Sequence, residues 1–204
     1  MNFSSKLLEE AVSALSSLPG IGKKSALRLA LHLVQDESGK SKRISAALES
    51  LSRGVRKCNV CCNLSDSDIC NICSNPGRKN QTVLCVVENA RDVMAIEDTN
   101  QFSGKYHVLG GVISPLEGVG PSDLSIGRLL DRIREERIEE LIMAISPTID
   151  GETTIYYISK LLRDSGIRIS VIARGVSFGG DLEYADEFTL GRSIVSRIPY
   201  QVQT

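Results

Sequence analysis

No apolar run in this 204-residue chain approaches the ~20 residues that a bilayer-spanning helix requires, so a membrane-embedded chain is not expected. No Gly-Lys-Ser/Thr string follows the glycine-rich stretch 110–121, which removes a nucleotide P-loop there. The first residues, Met1–Val12, carry Glu9 and Glu10 and offer no apolar stretch ahead of a small-residue cleavage site. A secretory leader is therefore not expected, and the reducing cytoplasm is the expected compartment. Neither sign of charge dominates: 24 Lys/Arg stand against 25 Asp/Glu, a net charge of −1 that by itself says nothing about nucleic acid. Of the two histidines, His32 has no second histidine nearby and reads as a packing or surface residue. His107 reads as a structural histidine, with a ligand contact as the alternative.

What is present is unevenly placed. With 42% hydrophobic residues the chain can bury one good core and a small satellite. Residues 1–57 hold ten Lys/Arg against five Asp/Glu, whereas the remainder holds fourteen against twenty. A basic first part joined to an acidic remainder suggests a polyanion at one end and proteins or metal at the other.

The cysteines carry the clearest chemistry. Cys58, Cys61, Cys70 and Cys73 form two C-x2-C pairs eight residues apart, the spacing of a four-thiolate zinc site. Tetrahedral zinc takes four soft ligands at about 2.3 Å, and so short a segment would draw its folding free energy from the metal. A pair of disulfides is the alternative that a reducing compartment disfavours. Cys62 competes with Cys61, since a C-x3-C pair also serves zinc; symmetry with the second pair favours Cys61. Cys85, inside Val83-Leu84-Cys85-Val86-Val87, reads as a buried apolar residue. Between the two pairs lie Asp66 and Asp68, a poor surface for phosphate, so the module is expected to act as a joint between a basic and an acidic domain.

Ahead of the cysteines, Leu7, Leu8, Ala11, Val12, Leu15 and Leu18 recur at helical spacing, and the pattern returns over 25–34. Leu18-Pro19-Gly20-Ile21-Gly22 lies between them. Gly20 and Gly22 flank an isoleucine expected to be buried, and leave N–H groups free at the start of the next helix. Lys23 and Lys24 open that helix where the dipole disfavours cations, and Arg28 follows one turn later. An anion such as phosphate would offset this arrangement. The stretch resembles the helix-hairpin-helix motif, which grips nucleic-acid backbone without reading bases, so Gly20, Gly22, Lys23, Lys24 and Arg28 are candidate DNA contacts. The plainer reading is a packing hairpin with solvated lysines. Residues 36–43 read as a polar loop and 44–55 as a further helix.

From Thr82 onward strands and helices alternate. Strands are expected over 82–87, 106–109, 141–145 and 168–173, with helices over 89–97, 124–136 and 152–165. The pattern argues a mainly parallel sheet covered on both faces, with functional groups at the strands' carboxyl ends. Glu88, closing the first strand, resembles the acidic strand end of the Toprim fold. Enzymes of that fold add an Asp-x-Asp at a later strand end to hold Mg²⁺ against phosphate, but here the strand runs into Ser146-Pro147-Thr148, with Asp150 and Glu152 beyond it. Catalysis is therefore not expected; a divalent-metal Toprim nuclease or primase using Glu88 is the alternative. The glycine- and proline-rich stretch 110–121 reads as a functional or mobile loop, or as a plain surface loop.

The order of these parts, with Tyr106-His107-Val108-Leu109-Gly110-Gly111, Ser114-Pro115, Gly151-Glu152-Thr153-Thr154, Ile172-Ala173-Arg174-Gly175 and Gly180-Asp181-Leu182-Glu183-Tyr184-Ala185-Asp186, resembles the RecR family of bacterial recombination mediators over nearly the whole chain. The resemblance implies an α/β protein with four parts. These are a helix-hairpin-helix DNA-binding domain (1–54), a four-cysteine zinc motif (55–78), a Toprim-like domain with a mainly parallel sheet (79–175) and a short Walker B-like assembly segment (176–204). It implies a non-enzymatic role in recombinational repair, nucleoid-associated during repair, binding double- and single-stranded DNA without sequence preference. Dimers and ring-like tetramers, one Zn²⁺ per chain, and RecO and RecF as partners in loading recombinase at single-stranded gaps belong to the same expectation. By position, Glu88 and Glu152 would engage RecO, and Asp181 and Glu183 would lie at a subunit contact. Ser146, where the family often has asparagine, and Cys62 depart from the pattern.

Overall fold

The structure is a computed structural model describing residues 3–176 and 179–199. The chain divides into two compact units, residues 1–55 and 56–204.

The first unit is helical. Ser5 caps helix α1 (Lys6–Ser16) by accepting the Leu8 N–H at 3.3 Å. The chain reverses at Leu18–Ile21, where the Ile21 N–H donates to the Leu18 carbonyl at 3.1 Å. Pro19 and Gly20 occupy its central positions; the φ of +79° at Gly20 is the left-handed value a type II turn requires there. Helix α2 (Lys23–Gln35) packs on α1 through Val12, Ala26 and Ala30, with Leu8, Leu15, Ile21 and Leu27 around them. Ile21 is half-buried rather than fully enclosed. Helix α3 spans Lys40–Gly54, so it starts four residues before the expected 44 and takes up part of the expected loop. The cause is Asp36, whose carboxylate accepts the Lys40 N–H at 2.9 Å and the Ser38 hydroxyl at 2.8 Å. It serves an orphan donor of the first turn that the sequence pattern does not reveal.

The second unit opens with a small ribbon, β1 (Arg56–Lys57) antiparallel to β2 (Leu64–Ser65), followed by the single turn α4 (Asn71–Ser74). Four parallel strands follow: β3 (Val83–Val87), β4 (Lys105–Val108), β5 (Glu140–Ala144) and β6 (Arg168–Val171), in the order β4-β3-β5-β6. Helices α5 (Ala90–Asp98), α6 (Ile126–Glu135) and α7 (Ile149–Leu161) form the crossovers. The period-2 alternation of strands explains why β3 reads as unbroken apolar sequence. Leu84 and Val86 enter one core with Leu129 and Ile158, while Cys85 and Val87 enter another with Val93 and Tyr106. Helix α7 begins at Ile149, three residues before the expected 152, because the Thr148 hydroxyl accepts the Gly151 N–H at 3.0 Å. Helix α8 (Glu187–Val195) follows the sheet.

The stretch 110–121 is tied down. Ser114 and Val119 exchange backbone bonds of 3.0 and 2.9 Å, and the Ile113 N–H donates to the Thr154 hydroxyl at 2.8 Å. It is a pinned surface hairpin rather than a free-running loop. No helix among the described residues is long and apolar enough to cross a membrane.

Candidate metal centre and nucleic-acid interface

The zinc module is built from two tight turns. The Cys58 N–H donates to the Asn63 carbonyl at 2.7 Å, and the Cys62 N–H to the Cys58 carbonyl at 3.0 Å, closing the first. Cys70 leads into α4, whose turn brings Cys73 back beside it. The sulfurs of Cys58, Cys61, Cys70 and Cys73 all lie within 4.8 Å of one another, with Cys61 and Cys70 at 3.5 Å. A tetrahedron with bonds of about 2.3 Å has edges of about 3.8 Å, so this donor set fits zinc in distance and softness.

The electrostatics point the same way. Burial pushes the Cys58 thiol up, but N–H donors, including those of Cys70 and Val60, outweigh it and bring it to about 7. The neighbouring Cys73 thiol and then burial push Cys61 up, and burial raises Cys70 to about 11. Four sulfurs this close cannot all ionise without a cation among them. Cys62 takes no part. Its φ of +62° sends the side chain away from its neighbour, into the core formed by Cys85, Val87, Tyr106 and Val108. Burial holds the Cys85 thiol up at about 12, and it too lies outside the sulfur cluster.

In the helical unit, Gly22 is the N-cap of α2 and supplies no side-chain bond to the amides of the first turn. Lys24 and Arg28 share an open groove of about 430 Å³ with His32 and Gln35 on the same side of α2. Lys23, one residue earlier, is not in its wall. His32 therefore lies beside two of the candidate cations. Its position four residues after Arg28 was the available signal, hidden because the residue looks unpartnered when read alone.

Along the sheet's carboxyl edge, Glu88 accepts the Ser146 N–H at 2.6 Å and so ties the ends of the adjacent strands β3 and β5. Asp92 is engaged in capping α5, accepting the Asn89 N–H at 2.9 Å. Glu152 is ion-paired with Arg174 and lines a cavity of about 590 Å³ with Ile149, Ile172, Phe188 and Arg192. The guanidinium of Arg192 stands 5.6 Å from the Phe188 ring. Arg174 lies in the Ile172-Ala173-Arg174-Gly175 segment already singled out in the sequence, whereas no local motif announced Arg192. Among the described residues, the cysteines are the only group of three or more ligand-type side chains close enough to share an ion. Asp181 and Glu183 lie exposed around the short turn Leu182–Tyr184; Ser177 and Phe178 of the same segment, and residues 200–204, fall outside the described residues.

His107 is fully buried. Its Nε2 meets the Ser125 hydroxyl at 2.9 Å and the Ser125 carbonyl at 3.1 Å, while Nδ1 has no partner among the described residues. Burial pushes the imidazole down to about 4, and the charges of Arg132 and Arg128 act in the same direction.

A helical hairpin, a four-cysteine zinc module and a parallel Toprim sheet together define a nucleic-acid-associated class of α/β protein, and family models cover each part. Residues 8–51 match the RecR helix-hairpin-helix, 55–75 the four-cysteine zinc finger domain of RecR, 82–173 the Toprim domain and 175–198 the RecR C-terminal region. The chain is 54% identical over 195 residues to the recombination protein RecR of Bacteroides thetaiotaomicron, covering 96% of this chain and 95% of the relative. It is 51% identical over 198 residues to that of Porphyromonas gingivalis, covering 97% and 95%. Against that of Cytophaga hutchinsonii it is 50% identical over 204 residues, covering 100% and 99%. The chain belongs to the RecR family, and its cofactor is one Zn²⁺.

Proposed function

We propose that the protein is a non-enzymatic mediator of recombinational DNA repair. It binds double- and single-stranded DNA through the backbone, assembles into a ring-like clamp, and acts with RecO and RecF to load recombinase at single-stranded gaps. Residues 1–54 carry the DNA contacts Gly20, Gly22, Lys23, Lys24 and Arg28, and residues 55–78 the zinc ligands. In 79–175, Glu88 and Glu152 face RecO, and 176–204, with Asp181 and Glu183, serves assembly.

The observation that carries this reading is the hairpin entrance of α2, in a chain whose relatives are named recombination proteins. Its first turn lacks a side-chain cap, and Lys24 and Arg28 border one open groove. Unsatisfied amides beside cations bind phosphate oxygens without reading bases. The non-enzymatic part rests on Glu88, whose carboxylate is engaged by Ser146, and on the lack of an Asp-x-Asp after β5. The test is recombinase loading on gapped DNA coated with single-strand-binding protein, with RecO present. Stimulation by the purified protein is expected, without Mg²⁺- or Mn²⁺-dependent cleavage or synthesis. No stimulation, or a nuclease activity lost in Glu88→Gln, overturns the reading.

A further inference from the structure

A second group of cations stands at the carboxyl edge of the sheet. Lys57, the last residue of β1, extends from the zinc module over the loop leaving β4: a Cβ placed at Gly110 would stand 4.0 Å from its Nζ. Arg128, in the first turns of α6, reaches back to donate to the carbonyl of Asn59, two residues beyond Lys57. Cations from two distant parts of the chain thus border the junction of the zinc module and the sheet: Lys57 lies beside Gly110, and Arg128 sits on the helix whose start is tied to the Leu109 carbonyl by the Ser125 N–H at 2.9 Å.

Both are exposed, and among the described residues neither enters an ion pair. Their neighbours do: Arg56 pairs with Asp68 and Arg134 with Asp131. The nearby acids are held by backbone N–H groups and keep their charge. Glu88 accepts the Ser146 N–H, and Asp123 accepts the Gly120 N–H at 2.8 Å. Exposed cations without an acidic partner attract an anion. In an open α/β sheet this edge is where ligands gather.

We propose that Lys57 and Arg128 form a second phosphate-binding patch that takes backbone phosphates of DNA at the edge of the sheet domain. The patch extends the sequence-independent DNA binding proposed above. The Gly-Gly loop presents no side chain that would hold a phosphodiester away.

The test is Lys57→Gln, since no hydrogen bond or ion pair involves that side chain among the described residues. Binding to a random-sequence duplex is followed by fluorescence anisotropy from about 50 to about 200 mM salt. The expected result is a salt slope smaller by about 1 and an affinity lower by about 3- to 10-fold, equal across sequences and restored by Lys57→Arg. Unchanged slope and affinity in a folded, zinc-replete protein overturn the patch. So does a loss of zinc with binding intact, which would make Lys57 a counter-charge for the dianionic zinc tetrathiolate. So would weakened binding of a polyglutamate peptide with DNA affinity unaltered. Lys24→Glu with Arg28→Glu is measured alongside; if it leaves binding intact while Lys57→Gln weakens it, the hairpin reading fails and the patch stands.

Discussion

At the scale of single residues, one backbone angle separates two adjacent cysteines that sequence alone leaves as rivals. The left-handed turn at Cys62 puts its sulfur in the sheet's core and leaves Cys61 with the cluster. Nothing in the C-x2-C spacing reports that angle. His107 is a second such residue, and its burial makes a pH prediction. The folded state holds the imidazole neutral, down at about 4, whereas the unfolded chain protonates near the ordinary value of 6.5. Stability is therefore retained above that value and lost as pH falls through the window towards 4, by up to about 3 kcal/mol. Urea midpoints at neutral pH and near pH 5 should differ in the native protein and converge in a non-ionising His107→Gln variant. The groups facing the ring, Ser125, Arg128, Arg132 and Glu136, are unchanged by that substitution. For DNA binding, Lys24→Glu with Arg28→Glu should lower affinity by more than about 10-fold and the salt slope by about 2, on duplexes of any sequence. An unchanged slope removes the hairpin from the DNA interface.

At the scale of elements, the alternating half was legible because β3 and β5 bury both faces and so carry continuous apolar runs. Element starts were less legible. Helices α3 and α7 both begin earlier than their apolar pattern, since Asp36 and Thr148 serve their first-turn amides from outside the periodic segment. The stretch 110–121 hid its order for a related reason: its anchor, Thr154, lies 41 residues away from Ile113. One close approach in α7 supports a prediction of its own. A Cβ at Gly151 would collide with the Ser146 carbonyl oxygen and meet Ile145 Cγ2 at 3.2 Å. Gly151→Ala must shift α7 or the Ser146 backbone that Glu88 holds, at a cost of about 1–3 kcal/mol. Thermal unfolding should show this loss, exceeding the roughly 1 kcal/mol expected for removing the cap in Thr148→Ala. Equal stability of Gly151→Ala and the native protein would contradict the packing described.

At the scale of the whole molecule, the zinc module is part of the sheet unit. The Cys61 carbonyl accepts the Val108 N–H at 2.8 Å at the outer side of edge strand β4, Cys62 fills the core beneath, and Arg128 reaches the Asn59 carbonyl. A strand edge left without such a cover exposes backbone groups to mispairing. The helical unit depends on none of this: its core is Val12, Ala26 and Ala30, and all six cysteines lie beyond it. Removing zinc with a chelator, or by Cys70→Ala, should therefore destabilise the sheet unit first, because the metal supplies the folding free energy of residues 56–74. Limited proteolysis should cut within 56–110 while residues 1–55 survive. The proposed assembly should fail before the hairpin loses its intrinsic affinity for DNA. Size-exclusion mass measurement and anisotropy on the same preparation separate the two effects. A Cys70→Ala protein that stays folded and oligomeric yet no longer binds DNA would instead make the zinc module a direct nucleic-acid contact.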